Sequence, residues 1–175
     1  MSKRKKIDFV IRDNDDEQII FRFRPRQSSC HSFGDTPPKS WEEVYKVYYS
    51  YSIFKRYKDD NYSKILFDCK CDECSAIDEV ADRCLHLADG RTSIDIKHPH
   101  TGEQYTVHFL DNEIYPFGDG VNWNIKQLND NFYSISMFNW DGVGYRFCLK
   151  QDKLKEFGNY LNECCEYMLA HGDPI

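Results

Sequence analysis

The run Phe132-Tyr-Ser-Ile-Ser-Met-Phe138, Asn139-Trp-Asp-Gly142, Val143-Gly-Tyr-Arg-Phe-Cys-Leu149 decides how this chain folds. Its outer segments repeat with period two, the signature of strands with one buried face. The central Asn-Trp-Asp-Gly is a hairpin turn signal. Directly afterwards the period changes. Leu154, Phe157, Leu161, Cys164, Cys165, Met168 and Leu169 recur at helical spacing, with Asp152 as cap and His171-Gly172 as stop. That pattern predicts a helix from about Lys153 to Ala170. A one-faced sheet and a one-striped helix each expose apolar surface unless they cover one another, so an antiparallel sheet packed by a C-terminal helix is expected.

Upstream, Asn122–Gln127 reads as a further strand. Thr92–Lys97 and Glu103–Leu110 flank His98-Pro99-His100-Thr101-Gly102 as a second hairpin. Near the start, Ile7–Arg12 and Gln18–Arg24 alternate around a polar turn, giving a third hairpin. Pro25–Lys39 is a loop. Ser40-Trp41-Glu42-Glu43 is a capping box, in which serine and Glu43 exchange hydrogen bonds with backbone amides. It predicts a helix from there to about Tyr57, with Trp41, Val44, Tyr45, Tyr48, Tyr51 (or Ser52) and Lys55 along one face, and rich in tyrosine: Tyr45, Tyr48, Tyr49, Tyr51 and Tyr57. The expected fold class is α+β. Residues 1–66 form a hairpin-plus-helix part, 67–90 an inserted zinc-binding segment, and 91–175 the sheet with its helix, all in one compact unit.

Charge narrows the choice of partner. Over 175 residues the net charge is −6, with 30% charged and 41% hydrophobic residues. Residues 67–90 hold 2 basic against 7 acidic residues, and residues 111–175 hold 5 against 10, whereas residues 1–66 hold 14 against 10. Acidic surface suits a basic protein better than DNA or an anionic membrane. No stretch approaches the ~18 apolar residues of a membrane span. The basic start Lys3-Arg4-Lys5-Lys6 runs into alternating Ile7, Phe9 and Ile11 rather than an apolar signal core. A cytoplasmic protein is expected.

A reducing compartment turns eight cysteines into metal or redox candidates. Four are clustered: Cys69, Cys71, Cys74 and Cys84. Zinc takes four such ligands in a tetrahedron, and a Cys-x-x-Cys turn aims two thiolates at one point. The acidic neighbours Asp68, Asp72 and Glu73 do not suit core thiols. The expected cofactor is one structural zinc ion on Cys69, Cys71, Cys74 and Cys84, with His86 as the alternate ligand. Cys30, His31, His98 and His100 are outliers able to complete the shell, and four thiolates leave no open position for catalysis. Behind Cys74, the spacing of Ile77, Val80, Ala81, Cys84 and Ala88 predicts a second helix, stopped at Gly90.

Phosphate loops, nucleophile elbows, zinc-protease and dinucleotide motifs are absent. Asp95-Ile96-Lys97 matches the Asp-x-Lys element of metal-dependent nucleases and would need a further acid such as Asp82 or Asp89. Three residues in that pattern also describe an exposed strand, so a non-enzyme is expected, with no small-molecule substrate indicated. Arg22, Arg24 and Arg26 beside tyrosines keep a zinc-containing nucleic-acid binder as the second reading.

The acidic zinc segment Asp68–Asp89, the tyrosine-rich helix Trp41–Tyr57 and the βββα-like block Asn122–Ala170 together resemble the profile of phage-encoded anti-CRISPR proteins. These inhibit Cas9, the RNA-guided type II effector nuclease. The resemblance implies a zinc-stabilised inhibitor that blocks DNA loading or cleavage by protein–protein contact. Partner contacts would fall on Asp72, Glu73, Asp78, Glu79 and Asp82, and on Tyr45, Tyr48 and Tyr49. A toxin-neutralising immunity protein is a further alternative of the same binding class.

Overall fold

The structure, a computed structural model, describes residues 7–25, 49–59, 62–72, 74–110, 114, 121–139 and 141–171. Side chains at positions 7, 24–25, 49–51, 69–72, 74–76 and 168–171 lie outside that description. Among the described residues, nine strands and two helices follow in order: β1 (Ile7–Asp13), β2 (Glu17–Pro25), β3 (Tyr49–Tyr57), β4 (Ser63–Asp72), α1 (Cys74–Ala88), β5 (Ser93–Lys97), β6 (Gln104–His108), β7 (Asn122–Asn129), β8 (Phe132–Phe138), β9 (Gly144–Lys150) and α2 (Gln151–His171). The fold is α+β. Three antiparallel sheets result: β1-β2-β3-β4, β5-β6 and β7-β8-β9.

All three expected hairpins form, and the C-terminal helix begins two residues earlier than Lys153, at Gln151. One expectation fails. Residues 49–57 are not the end of a helix but strand β3, paired over its full length with β2 from Glu17↔Tyr57 to Pro25↔Tyr49. Tertiary pairing explains the difference. β3 lies between β2 and β4, so its backbone groups find ladders on both sides, and Ile53 and Phe54 are both buried on successive, opposite faces. A helix there would bury one stripe only. The capping box at Ser40 and the residues up to Tyr48 lie outside the described residues.

One core joins these elements. β2 contributes Ile19, Phe21 and Phe23, the alternate residues of one face, and β1, β3 and β4 add Phe9, Ile53 and Phe67. Trp123, Ile125, Tyr133, Ile135, Met137, Phe147 and Leu149 come from the third sheet. Between the two sheets runs the apolar stripe of α2: Leu154, Phe157, Tyr160, Leu161, Cys164 and Cys165, all buried. Phe157 lies 5.1 Å from the Phe9 ring, and meets Phe21 and Phe147 edge-on at 5.6 and 5.5 Å. Edge-to-face pairs of this kind add roughly 0.5–1.5 kcal/mol each beyond their buried area.

α1 packs along α2, burying Ile77, Val80, Ala81, Cys84 and Leu87. Gly158 makes the close approach: a Cβ there would stand 2.9 Å from Leu85 Cγ and 3.1 Å from the Ala81 carbonyl oxygen. The stop expected at Gly90 is present, with φ at +81°, a conformation that glycine takes without steric cost. Among the described residues, no helix is long and apolar enough to cross a membrane.

Candidate functional site

The cysteine cluster sits where β4 hands over to α1. Cys69 lies in register opposite Tyr51, and Cys71 falls at an irregularity in the ladder, between the pairs Ser50↔Lys70 and Tyr49↔Asp72. Cys74 is the first residue of α1. Three cysteines therefore fall within six residues of one strand–helix junction. Their side chains lie outside the described residues; among those described, no three His, Cys, Asp or Glu groups gather as a metal site would require.

The fourth expected ligand does not belong with these three. α1 runs unbroken from Cys74 to Ala88, so the ten positions from Cys74 to Cys84 span roughly 15 Å of helix axis. Sulfurs on one tetrahedral zinc lie about 4 Å apart, given a Zn–S bond near 2.3 Å. No pair of cysteine side chains closes such a gap. Cys84 is instead a core thiol with 0% exposure, among Ile77, Val80 and Leu87, and burial alone pushes its pKa upward. His86 is further along still. Its ring stacks on Phe109 at 4.8 Å and 7°, and its Nε2 lies 3.5 Å from Asp82. The ligands Cys84 and His86 are therefore corrected to packing residues. His98 and His100 occupy the tip of the β5–β6 hairpin, where His98 Nδ1 accepts from the amides of His100 and Thr101 at 3.2 Å.

The acidic contact residues fare differently. Asp78, Glu79 and Asp82 are exposed on α1. Glu79 accepts from Arg83 at 2.6 Å, which fixes the largely buried guanidinium, while the Asp82 side chain is 65% exposed. Asp72 closes β4, and Glu73, Tyr45 and Tyr48 lie outside the described residues. Tyr49 starts β3 opposite Pro25, so no tyrosine-studded helix continues through it. Reading single segments missed what α2 adds. Asp152, Glu156, Glu163 and Glu166 are also exposed, so two packed helices each turn carboxylates to solvent. The signal was the −5 balance of residues 111–175, assigned to individual positions only once the helical stripe is phased.

Two other sequence candidates are committed elsewhere. Asp95 accepts from the Thr106 hydroxyl at 2.7 Å across the β5–β6 pair, on a face shared with Lys97. Arg22 makes a bidentate pair with Asp8 at 2.7 and 2.8 Å and lies 4.6 Å over the Phe54 ring. Its charge is spent inside the protein, and the Asp8 carboxylate holds its pKa above the usual value. No family model matches the chain, and neither does any curated protein or solved structure.

Proposed function

We propose that this protein is a non-enzymatic binding module that docks the acidic outer side of α1 and α2 onto a basic surface of a larger protein. The observation that carries this reading is the set of exposed carboxylates Asp78, Glu79, Asp82, Glu156, Glu163 and Glu166 on two helices locked together by a shared core. Rigid helices hold charges at fixed positions, which speeds encounter with an oppositely charged partner and suppresses wrong ones. The profile resemblance to anti-CRISPR proteins names the partner to test first: the RNA-guided effector nuclease Cas9, whose nucleic-acid channel is basic. A structural zinc at the β4–α1 junction, held by Cys69, Cys71 and Cys74 with Cys30 or His31 as fourth ligand, would fix the start of the docking helix.

The test is co-elution with the guide-loaded nuclease and titration of its DNA cleavage. Stoichiometric suppression, weakened by Asp78→Lys/Asp82→Lys, is expected. Glu79 is left intact because Arg83 depends on it. Cleavage that stays unchanged with inhibitor in excess, without co-elution, removes this nuclease as the partner.

A further inference from the structure

We propose that the outer face of the β7–β9 sheet, together with the groove it runs into, is a binding track for single-stranded nucleic acid. The ladder registers define this face in four rows. Across the three strands they read Asn122–Phe138–Gly144, Asn124–Ser136–Arg146, Lys126–Ser134–Cys148 and Asn129–Phe132–Lys150. The opposite face holds the buried residues Trp123, Ile125, Ile135, Met137, Phe147 and Leu149, so these rows point away from the core; Lys126, Phe132, Arg146, Cys148 and Lys150 reach solvent, whereas Ser134 at the centre is buried. They carry three cations and no carboxylate, within a segment whose net charge is strongly negative.

The last row opens into a groove of about 550 Å³ lined by Asn131, Phe132, Lys150, Gln151, Asp152 and Lys155. Four of the five cations between residues 111 and 175 thus fall on one surface: Lys126, Arg146, Lys150 and Lys155. Among the described residues none of these four makes an ion pair, whereas Arg12, Arg22, Lys55, Lys58, Arg83 and Lys153 are all paired with carboxylates. The groove also holds one exposed acid, Asp152, whose Oδ1 accepts the Lys153 amide at 2.9 Å, so cations outnumber acids there by two to one. Gln151 is occupied, its side-chain amide donating to the Ala88 carbonyl.

Charge alone would suit any polyanion. Two features select a single strand. Phe132 is 36% exposed with Lys150 Nζ 5.9 Å from its ring, which sets a stacking surface beside a phosphate contact. Between the cations lie the half-buried side chains of Ser136 and Asn124, and Asn124 Oδ1 is buried without a partner. Rows on a strand repeat every ~7 Å, so the cations and Phe132 are spaced along the strands of a sheet and not carried on a helix that could enter a duplex groove. An acidic helix would use the cations but not the ring.

The experiment measures anisotropy of labelled mixed-sequence DNA and RNA oligonucleotides with the full chain. Single strands are expected to bind more tightly than duplex, with affinity falling against salt at a log–log slope of about −3 for four phosphate contacts. Lys126→Glu/Arg146→Glu/Lys150→Glu should weaken binding by ~10-fold or more. Phe132→Ala should weaken it severalfold with the salt slope unchanged, and Phe132→Trp should retain it. If charge reversal perturbs folding by circular dichroism, the glutamine versions of the same three positions take its place. Asp78→Asn/Asp82→Asn should leave oligonucleotide binding intact, so the two surfaces stand or fall separately. Equal affinity for duplex, full competition by polyglutamate, binding of free mononucleotides but not of strands, or a folded triple variant that binds normally would each overturn the proposal.

Discussion

Phe157 shows how much of the molecule passes through one side chain. It touches Phe9 and Phe21 of the first sheet and Phe147 of the third, so it seals α2 against both. Phe157→Ala is expected to cost about 3–5 kcal/mol, because neither sheet can close on the cavity without leaving the other. Denaturant midpoints check this, and a loss below about 1 kcal/mol would mean that the two sheets do not meet at that ring. The buried thiols give a second prediction. Burial pushes Cys164 from 9.0 up to about 12, with Tyr160 raised in the same way. A pKa raised in the folded state means that stability is intact below the unfolded value and is lost as pH climbs between about 9 and 12. Cys164→Ala should therefore flatten the alkaline arm of the stability profile. In native protein a thiol reagent should label Cys148, which is exposed, and leave Cys84, Cys164 and Cys165 untouched. Rapid labelling of Cys84 would contradict its place in the core.

At the scale of elements, the contact between α1 and α2 depends on Gly158. Alanine there gains about 1 kcal/mol of helix propensity but drives a methyl into Leu85 and the Ala81 carbonyl, an overpacking cost of ~1–3 kcal/mol. Gly158→Ala should be mildly destabilising and Gly158→Val clearly so; a stabilised alanine variant would mean that the helices lie further apart. The junction of β4 and α1 carries the zinc prediction. Purified protein should hold one zinc per chain, lost in Cys71→Ser, whereas Cys84→Ser should keep its metal and lose stability instead. Retention of zinc by Cys71→Ser would end the proposed site. These outcomes also show what the sequence made legible. Hairpins and the last helix were readable because their apolar periods are strict and their turns carry Asn, Asp and Gly. β3 was not, since Tyr49, Tyr51, Ile53 and Phe54 satisfy either period in part, and the capping box upstream favours a helix. What decided it was two neighbouring strands, β2 and β4, which no local window contains. The ligand set failed for a related reason. Cys84 was phased correctly to the buried side of its helix, but the axial distance back to Cys74 follows only once α1 is known to begin at that residue.

Over the whole molecule, the charges sort by surface rather than by sequence segment. Carboxylates line the outward sides of α1 and α2, while lysines and an arginine that make no ion pair among the described residues collect on the far side of the β7–β9 sheet. Pairs elsewhere, such as Arg12–Glu17 within the first hairpin and Lys58–Asp13 between strands, lie at exposed positions and contribute little stability. Glu79 is held by Arg83, but Asp78 and the largely exposed Asp82 remain available to govern association. Long-range attraction acts mainly on the encounter rate, and short-range packing on dissociation. Replacing Asp78 and Asp82 by asparagine should therefore slow binding to a basic partner by up to ~10-fold at low salt and leave the dissociation rate nearly unchanged. The difference between variant and parent should shrink as ionic strength rises and the Debye length contracts to ~8 Å near physiological salt. Thermal stability of the same variant should move by no more than ~0.5 kcal/mol, because neither side chain is buried. Stopped-flow association across a salt series separates the cases: an effect confined to the dissociation rate, or one that persists undiminished at high salt, would place these carboxylates in a tight direct contact instead of a steering field.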